Sequence, residues 1–306
     1  MGEMQNQIVD QVIILCFIML IGLYSRRKSF IKEETLKSLT DLLVNVTLPC
    51  LILASFNTEY SKETIEKIRA ILIYSLAIHV FLAAISGVFY FKFKENTKQV
   101  LKFVTIFSNF GFMGYPIMEG MYGKIGVFYA SIFGVPFNVI LLTYGAILFS
   151  KEEKDNFDFK NILLQPGILF VIIGLIVFLG KIKLPYTIMG TLNYVGGMTT
   201  PLSMIIIGAN FANVSIKEIV KDLRIYYVSF IKLFIVPFMV YGVLKILKAD
   251  DYLIKMCVIL EAMPAAAMTT VFAEKYNNNK VFSAKCVVVT TILSIFTIPI
   301  VINALF

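Results

Sequence analysis

The chain has 306 residues, of which 58% are hydrophobic and 16% charged, with a mean hydropathy of +0.81 and a formal net charge of +8. A soluble domain carries about 45–50% apolar and about 25% charged residues, so one aqueous core cannot hold these side chains and lipid is the implied solvent. The basic, aromatic-laced soluble surface that nucleic acid would require is missing, and so are the alternating segments of about 10 residues that build a β-barrel.

Apolar runs of roughly 20 residues, the length that crosses about 30 Å of hydrocarbon, predict ten membrane helices. In chain order they cover 8–24, 36–56, 68–93, 100–121, 124–149, 161–180, 186–211, 225–247, 252–274 and 281–306. The first lacks a basic leader and a small-residue cleavage site, and its basic residues follow it at Arg26, Arg27 and Lys28; it reads as a retained helix. The longest connections, Ser25–Thr35, Asn57–Lys67, Ser150–Lys160 and Ala212–Arg224, are too short for a catalytic or sensory domain.

Connections after odd-numbered spans hold 18 Lys and Arg residues, those after even-numbered spans hold 9, and both termini hold none. Because Lys and Arg keep loops on the cytoplasmic side, both termini are expected outside. Cys16, Cys50, Cys257 and Cys286 sit in apolar spans without metal-ligand spacing and read as small buried hydrophobes. Nothing in the sequence calls for a cofactor or a metal.

Helix breakers carry the functional signal. The second span contains Asn45-Val46-Thr47-Leu48-Pro49 and the seventh Met198-Thr199-Thr200-Pro201, which places Thr47 and Thr199 at one offset from Pro49 and Pro201. The fourth contains Asn109-Phe110-Gly111-Phe112-Met113-Gly114-Tyr115-Pro116 and the ninth Glu261-Ala262-Met263-Pro264. Interrupted helices thus recur five spans apart. An odd number of spans inverts the second half relative to the first, giving repeats over 1–156 and 157–306. A proline removes a backbone donor and clashes with the preceding turn, and in lipid the freed polar groups must find partners. Two broken helices facing each other supply those partners and can offer half-helix N-termini to an anion.

These motifs resemble a known family. Asn109-x-x-x-Met113-Gly114-x-Pro116, followed by Met121-Tyr122-Gly123, is similar to the fourth-helix motif of plant PIN auxin exporters and bacterial auxin-efflux-carrier proteins. Ala262-x-Pro264 with Phe272-Ala273-x-x-Tyr276-Asn277 resembles their ninth helix, and Lys232-x-x-x-x-Pro237 a basic residue ahead of a proline in their eighth. The long loop of many plant members is here reduced to about Ser150–Lys160, which points to a compact microbial relative. The resemblance implies an all-α, NhaA-like fold of two inverted five-helix repeats. Helices 1, 2, 6 and 7 would form a dimerising scaffold, and helices 3–5 and 8–10 a moving transport domain whose crossed helices 4 and 9 hold the substrate. It implies a homodimer in the cell membrane that transports a small organic anion, an auxin-like or malate- or malonate-like carboxylate.

Ionisable groups deep in apolar spans are expensive. Asp10, Asp41, Lys102 and Glu119 lie near span ends and read as solvated. His79, the sole histidine, reads as a hydrogen-bonded helix contact, with a proton relay as the other reading. At about 1.5 Å per residue, Lys232 lies about 10–12 Å from the cytoplasmic face and Glu261 about 14 Å from the outer one, so the two either pair or Lys232 snorkels to the interface. Glu261, three residues before Pro264, can carry a proton, ligate sodium or stay a neutral structural group. Asn109 and Asn138 suit carboxylate binding because an amide recognises an anion without bearing charge. Gly111, Gly114, Tyr115, Pro116, Met263, Pro264, Thr47 and Thr199 complete the candidate substrate site. A cation/proton antiporter would want mid-membrane acids in spans 3–5, which supply none; a channel or sensor would want a filter or an attached domain, and an enzyme a catalytic cluster.

Overall fold

The computed structural model describes residues 2–150, 163–212 and 222–306. The basic residues Lys151, Lys154, Lys160, Lys217 and Lys221, and the predicted repeat boundary at 156/157, lie outside them. The described residues form helices α1 (Gly2–Arg27), α2 (Glu33–Ser55), α3 (Lys62–Phe89), α4 (Glu95–Ile106), α5 (Phe110–Phe149), α6 (Pro166–Leu179), α7 (Tyr186–Gly197), α8 (Thr199–Phe211), α9 (Leu223–Ile246), α10 (Asp251–Glu261), α11 (Met268–Lys275) and α12 (Lys280–Leu305), with no strand among them. Among the described residues, six helices are long and apolar enough to cross a membrane: Ile8–Arg27 within α1, then α2, α3, α5, α9 and α12. This is a multi-span, all-helical membrane protein.

The interruptions of these helices are instructive. The seventh span divides into α7 and α8, and the ninth into α10 and α11. The fourth and fifth meet inside α5, where Gly123 takes φ 62° and ψ −150°. That backbone region is open almost only to glycine, so a single residue turns the chain between two helices.

Several prolines within these helices do something gentler than break them. Pro49, Pro116 and Pro237 each follow by two residues a five-residue π-turn, at Leu43–Thr47, Phe110–Gly114 and Ile231–Ile235. At the ends of the first and third, Leu48 N–H reaches Leu43 O and Val236 N–H reaches Ile231 O. The wide turn shifts the hydrogen-bond register just ahead of a residue that has no N–H to give. The expectation that Pro49 and Pro116 interrupt their helices is therefore corrected: both helices run on through them. Pro201 is the third residue of α8, in the first turn where a missing N–H leaves nothing unpaired. Pro264 does lie in a true gap, between α10 and α11.

The chain forms two compact units. The first comprises Met1–Ile71, Gly111–Val135 and Lys160–Asn213; the second comprises Leu72–Phe110, Pro136–Phe159 and Val214–Phe306. In the first, α1 lies against α8 so closely that a Cβ on Gly208 would sit 1.8 Å from Met19 O, and one on Gly22 2.2 Å from Ile205 O. Small residues that let backbones touch are the usual glue between membrane helices, where apolar burial gives no advantage over lipid. Ile31, Leu36, Leu43, Ile206 and Ala209 pack together beside that seam, while the Phe128 ring meets Phe56 edge-on and Phe178 at a tilt, with centroids 4.9 and 5.5 Å apart. Arg26 ties the α1–α2 turn by donating to Ile31 O at 2.9 Å and pairing with Glu33.

In the second unit, Asp222, Asp250 and Asn279 cap α9, α10 and α12 by accepting from the N–H groups of Arg224, Tyr252 and Phe282 at 3.0–3.1 Å. The Arg224 guanidinium, bonded to Asp222, also holds that carboxyl below the usual carboxylate range. Phe103 anchors an aromatic core, its ring 4.6 Å from Phe107, 5.0 Å from Phe272 and 5.5 Å from Phe149.

Candidate functional site

The site lies within the second unit, where two interrupted helices meet. Helix α4 stops at Ile106 and Phe107 turns extended, at φ −108° and ψ 115°. Ser108 then pairs antiparallel with Ala265, in the gap between α10 and α11. Asn109 N–H donates to Pro264 O at 2.7 Å, and Ala266 N–H donates to Phe107 O at 2.9 Å. Ala265 N–H donates to Thr290 Oγ1 of α12 at 3.2 Å. Groups that a broken helix strands in lipid thus satisfy one another across the crossing, as the hydrogen-bonding rule for buried backbone demands.

Four side chains converge beside it. Lys232 from the π-turn of α9, Glu261 from the end of α10 and His79 from α3 are all 0% exposed, and Ser108 is equally buried at 1%. Lys232 Nζ donates to Ser108 Oγ at 2.6 Å, to Glu261 Oε2 at 3.3 Å and to Thr105 O at 3.4 Å. Ser108 Oγ donates to the same Glu261 oxygen at 2.6 Å. The other oxygen, Oε1, faces His79 Nε2 at 3.2 Å, and His79 Nδ1 meets Ser75 O at 2.6 Å. The rings of Phe107 and Phe137 enclose the imidazole, at 6.4 and 5.1 Å between centroids.

The arrangement has an electrostatic logic. Both α4 and α10 end at the crossing, so their carbonyl ends present partial negative charge there. An ammonium with three oxygen neighbours suits that end of a helix, and a carboxylate one bond away compensates it. The cost of an ion pair in lipid is offset in part because Lys232 Nζ and Glu261 Oε2 both have hydrogen-bond partners.

Of the two alternatives for Lys232, pairing is realised and snorkelling is not. Asn109, Met263, Pro264 and Asn138 belong to the same unit, with Asn109, Met263 and Pro264 buried and Asn138 half-buried on α5. Gly111, Gly114, Tyr115 and Pro116 belong to the first unit, as do Thr47 and Thr199, both of which are buried, and Pro49 and Pro201. Glu119, expected to be solvated, is only partly so and accepts from Thr200 Oγ1 at 2.9 Å. His79 makes a helix contact, as read, but its other nitrogen is aimed at Glu261. The sequence reading passed over that role and over Ser108 altogether.

Comparison with known proteins settles the family. A family model described as membrane transport protein matches residues 7–302. The chain belongs to the auxin efflux carrier family of membrane transport proteins. Its relatives include an uncharacterized transporter of Methanocaldococcus jannaschii, 25% identical across 95% of this chain and 96% of the relative. An uncharacterized transporter of Methanothermobacter thermautotrophicus is 24% identical over 95% and 96%. One of Escherichia coli K12 is 21% identical over 88% of each. Membership of the auxin efflux carrier family makes this chain a transporter, and the crossing with its buried charges is where its two interrupted helices meet.

Proposed function

We propose that this carrier is a secondary transporter of a small organic anion, an auxin-like or malate- or malonate-like carboxylate, bound at the crossing of Phe107–Asn109 and Pro264–Ala266. The observation that carries the reading is the Asn109 N–H to Pro264 O bond beside the buried Lys232 ammonium. It places an amide side chain and a positive charge next to backbone whose helical pairing is already broken. Asn109, Asn138 and Met263, all of the second unit, are the contacts proposed for it. The fold proposed is ten spans in two inverted repeats of the NhaA type. Spans 1, 2, 6 and 7 act as the scaffold of a homodimer in the cell membrane, and spans 3–5 and 8–10 carry substrate in an elevator-type movement.

Proteoliposomes loaded with unlabelled malonate or malate are expected to exchange it for labelled external substrate. Asn109→Leu should abolish that exchange while the purified protein keeps its thermal stability. Unchanged affinity in Asn109→Leu, or no exchange of any carboxylate by the parent protein, overturns the assignment.

The orientation follows from the excess of basic residues in the connections after odd-numbered spans. Single cysteines placed beside Lys94 and Lys183, in a background without the four native cysteines, are expected to label from the cytoplasm and from outside, respectively. The reverse pattern sinks the topology.

A further inference from the structure

Two main-chain bonds join the crossing segments, Asn109 N–H to Pro264 O at 2.7 Å and Ala266 N–H to Phe107 O at 2.9 Å. They flank the Ser108–Ala265 pair. In an antiparallel pair of this kind the two residues that face each other exchange no hydrogen bonds, and their own N–H and C=O groups point away from the ladder. Ala265 N–H therefore cannot be met by the segment opposite it. Ala265 is fully buried, and a buried donor left unpaired is costly.

Its partner comes from a third element. Thr290 of α12, equally buried, accepts from Ala265 N–H through Oγ1 at 3.2 Å. The hydroxyl proton is directed at α12 itself, 2.8 Å from Cys286 O and 3.0 Å from Val287 O. A hydroxyl bonded back to its own helix, on a β-branched side chain with few χ1 choices, is fixed in direction. That orientation turns lone pairs outward, toward the gap between α10 and α11. The next residue supplies a contrast. Thr291 is also buried and donates to Val287 O at 2.7 Å, but among the described residues its hydroxyl bonds only its own helix.

We propose that Thr290 is a positioning residue for the substrate site: its hydroxyl fixes the Pro264–Ala266 segment against α12 in the conformation that receives the carboxylate. The role rests on the substrate assignment above and adds a residue that serves the anion without touching it. With its proton committed to α12, the hydroxyl has none to give an anion, so it acts through the main chain of Ala265. Removing it leaves the Asn109–Pro264 and Ala266–Phe107 bonds in place, and the helices still meet. The segment must then be ordered afresh each time substrate binds, a cost that falls on affinity. An interaction that serves the bound state throughout changes KM and leaves the maximal rate alone.

The test compares Thr290→Val, Thr290→Ser and Thr291→Val in proteoliposomes of the full chain, with labelled malonate or malate as the probe. Valine keeps the shape and loses the acceptor, whereas serine keeps the acceptor and loses a methyl group. Thr290→Val is expected to raise the half-saturating concentration about tenfold, the effect of losing one hydrogen bond, at a maximal exchange rate near the parent's. Thr290→Ser and Thr291→Val should both stay close to the parent. Thr290→Cys, whose sulfur accepts only weakly, should fall between serine and valine, and it carries the comparison if the valine variant does not fold. Hydrogen exchange of the purified protein should show the Ala265 amide losing protection in Thr290→Val and keeping it in Thr290→Ser. Unchanged half-saturation in Thr290→Val, or a serine variant as impaired as the valine one, overturns the role and leaves the substrate assignment standing. Parent protein that exchanges no carboxylate overturns the substrate assignment, and the role falls with it.

Discussion

Glu261→Gln is expected to lower the stability of the detergent-purified protein by about 3–5 kcal/mol, the cost of stranding a buried charge. The glutamine can replace the hydrogen bonds to Ser108 and Lys232 but not the negative charge, and Lys232 is wholly buried. Lys232→Met should cost less, because the remaining carboxylate still accepts from Ser108 Oγ and faces His79 Nε2. The double change removes both charges and should recover most of what Glu261→Gln alone loses, since apolar replacement of a buried pair is often neutral. Thermal unfolding of the two singles and the double forms a cycle. Additive effects, with the double variant the least stable of the three, would mean that the two charges do not hold each other in place.

Gly208→Leu is expected to be as damaging by a different route. Helices α1 and α8 touch through main-chain atoms, and any Cβ on Gly208 would overlap Met19 O. That oxygen belongs to helix backbone and cannot swing aside as a flexible side chain would. The helices must separate, losing the contacts along their seam, at about 3 kcal/mol, the upper end for overpacking. Gly208→Ala should already be destabilising, and Gly22→Leu should resemble Gly208→Leu because Gly22 meets Ile205 O in the same seam. Gly87→Leu serves as the contrast, since a Cβ there meets nothing within 4 Å. Equal melting temperatures for Gly208→Leu and Gly87→Leu would refute the close approach.

The multi-span, all-helical class was legible because lipid imposes a length and a composition that soluble packing does not. The ninth-helix gap was legible through Glu261 and Pro264, an ionisable group and a donorless residue in one apolar run. The matching break in the fourth helix was misplaced toward Pro116. It falls at Phe107–Asn109, where no Gly or Pro marks it, because its cause is Ala265, a non-local partner. The π-turns ahead of Pro49, Pro116 and Pro237 were equally silent, since proline announces a lost hydrogen bond but not how the chain makes it good. Lys232 and Glu261 stood out because charge in hydrocarbon is rare. Ser108 did not, for a hydroxyl can always bond its own helix. His79 was visible as a residue, but only the fold says which way its second nitrogen points.

The Ser108–Ala265 crossing is held largely by backbone N–H groups, which every residue except proline carries, and by carbonyls, which every residue carries. Its shape is therefore indifferent to most of the side chains around it. Descendants of such a chain can exchange the residues that recognise a carboxylate, a few at a time, without first having to reinvent the place where the helices meet. Transporters sharing a quarter or less of their residues can keep one frame on those terms while their cargoes drift apart.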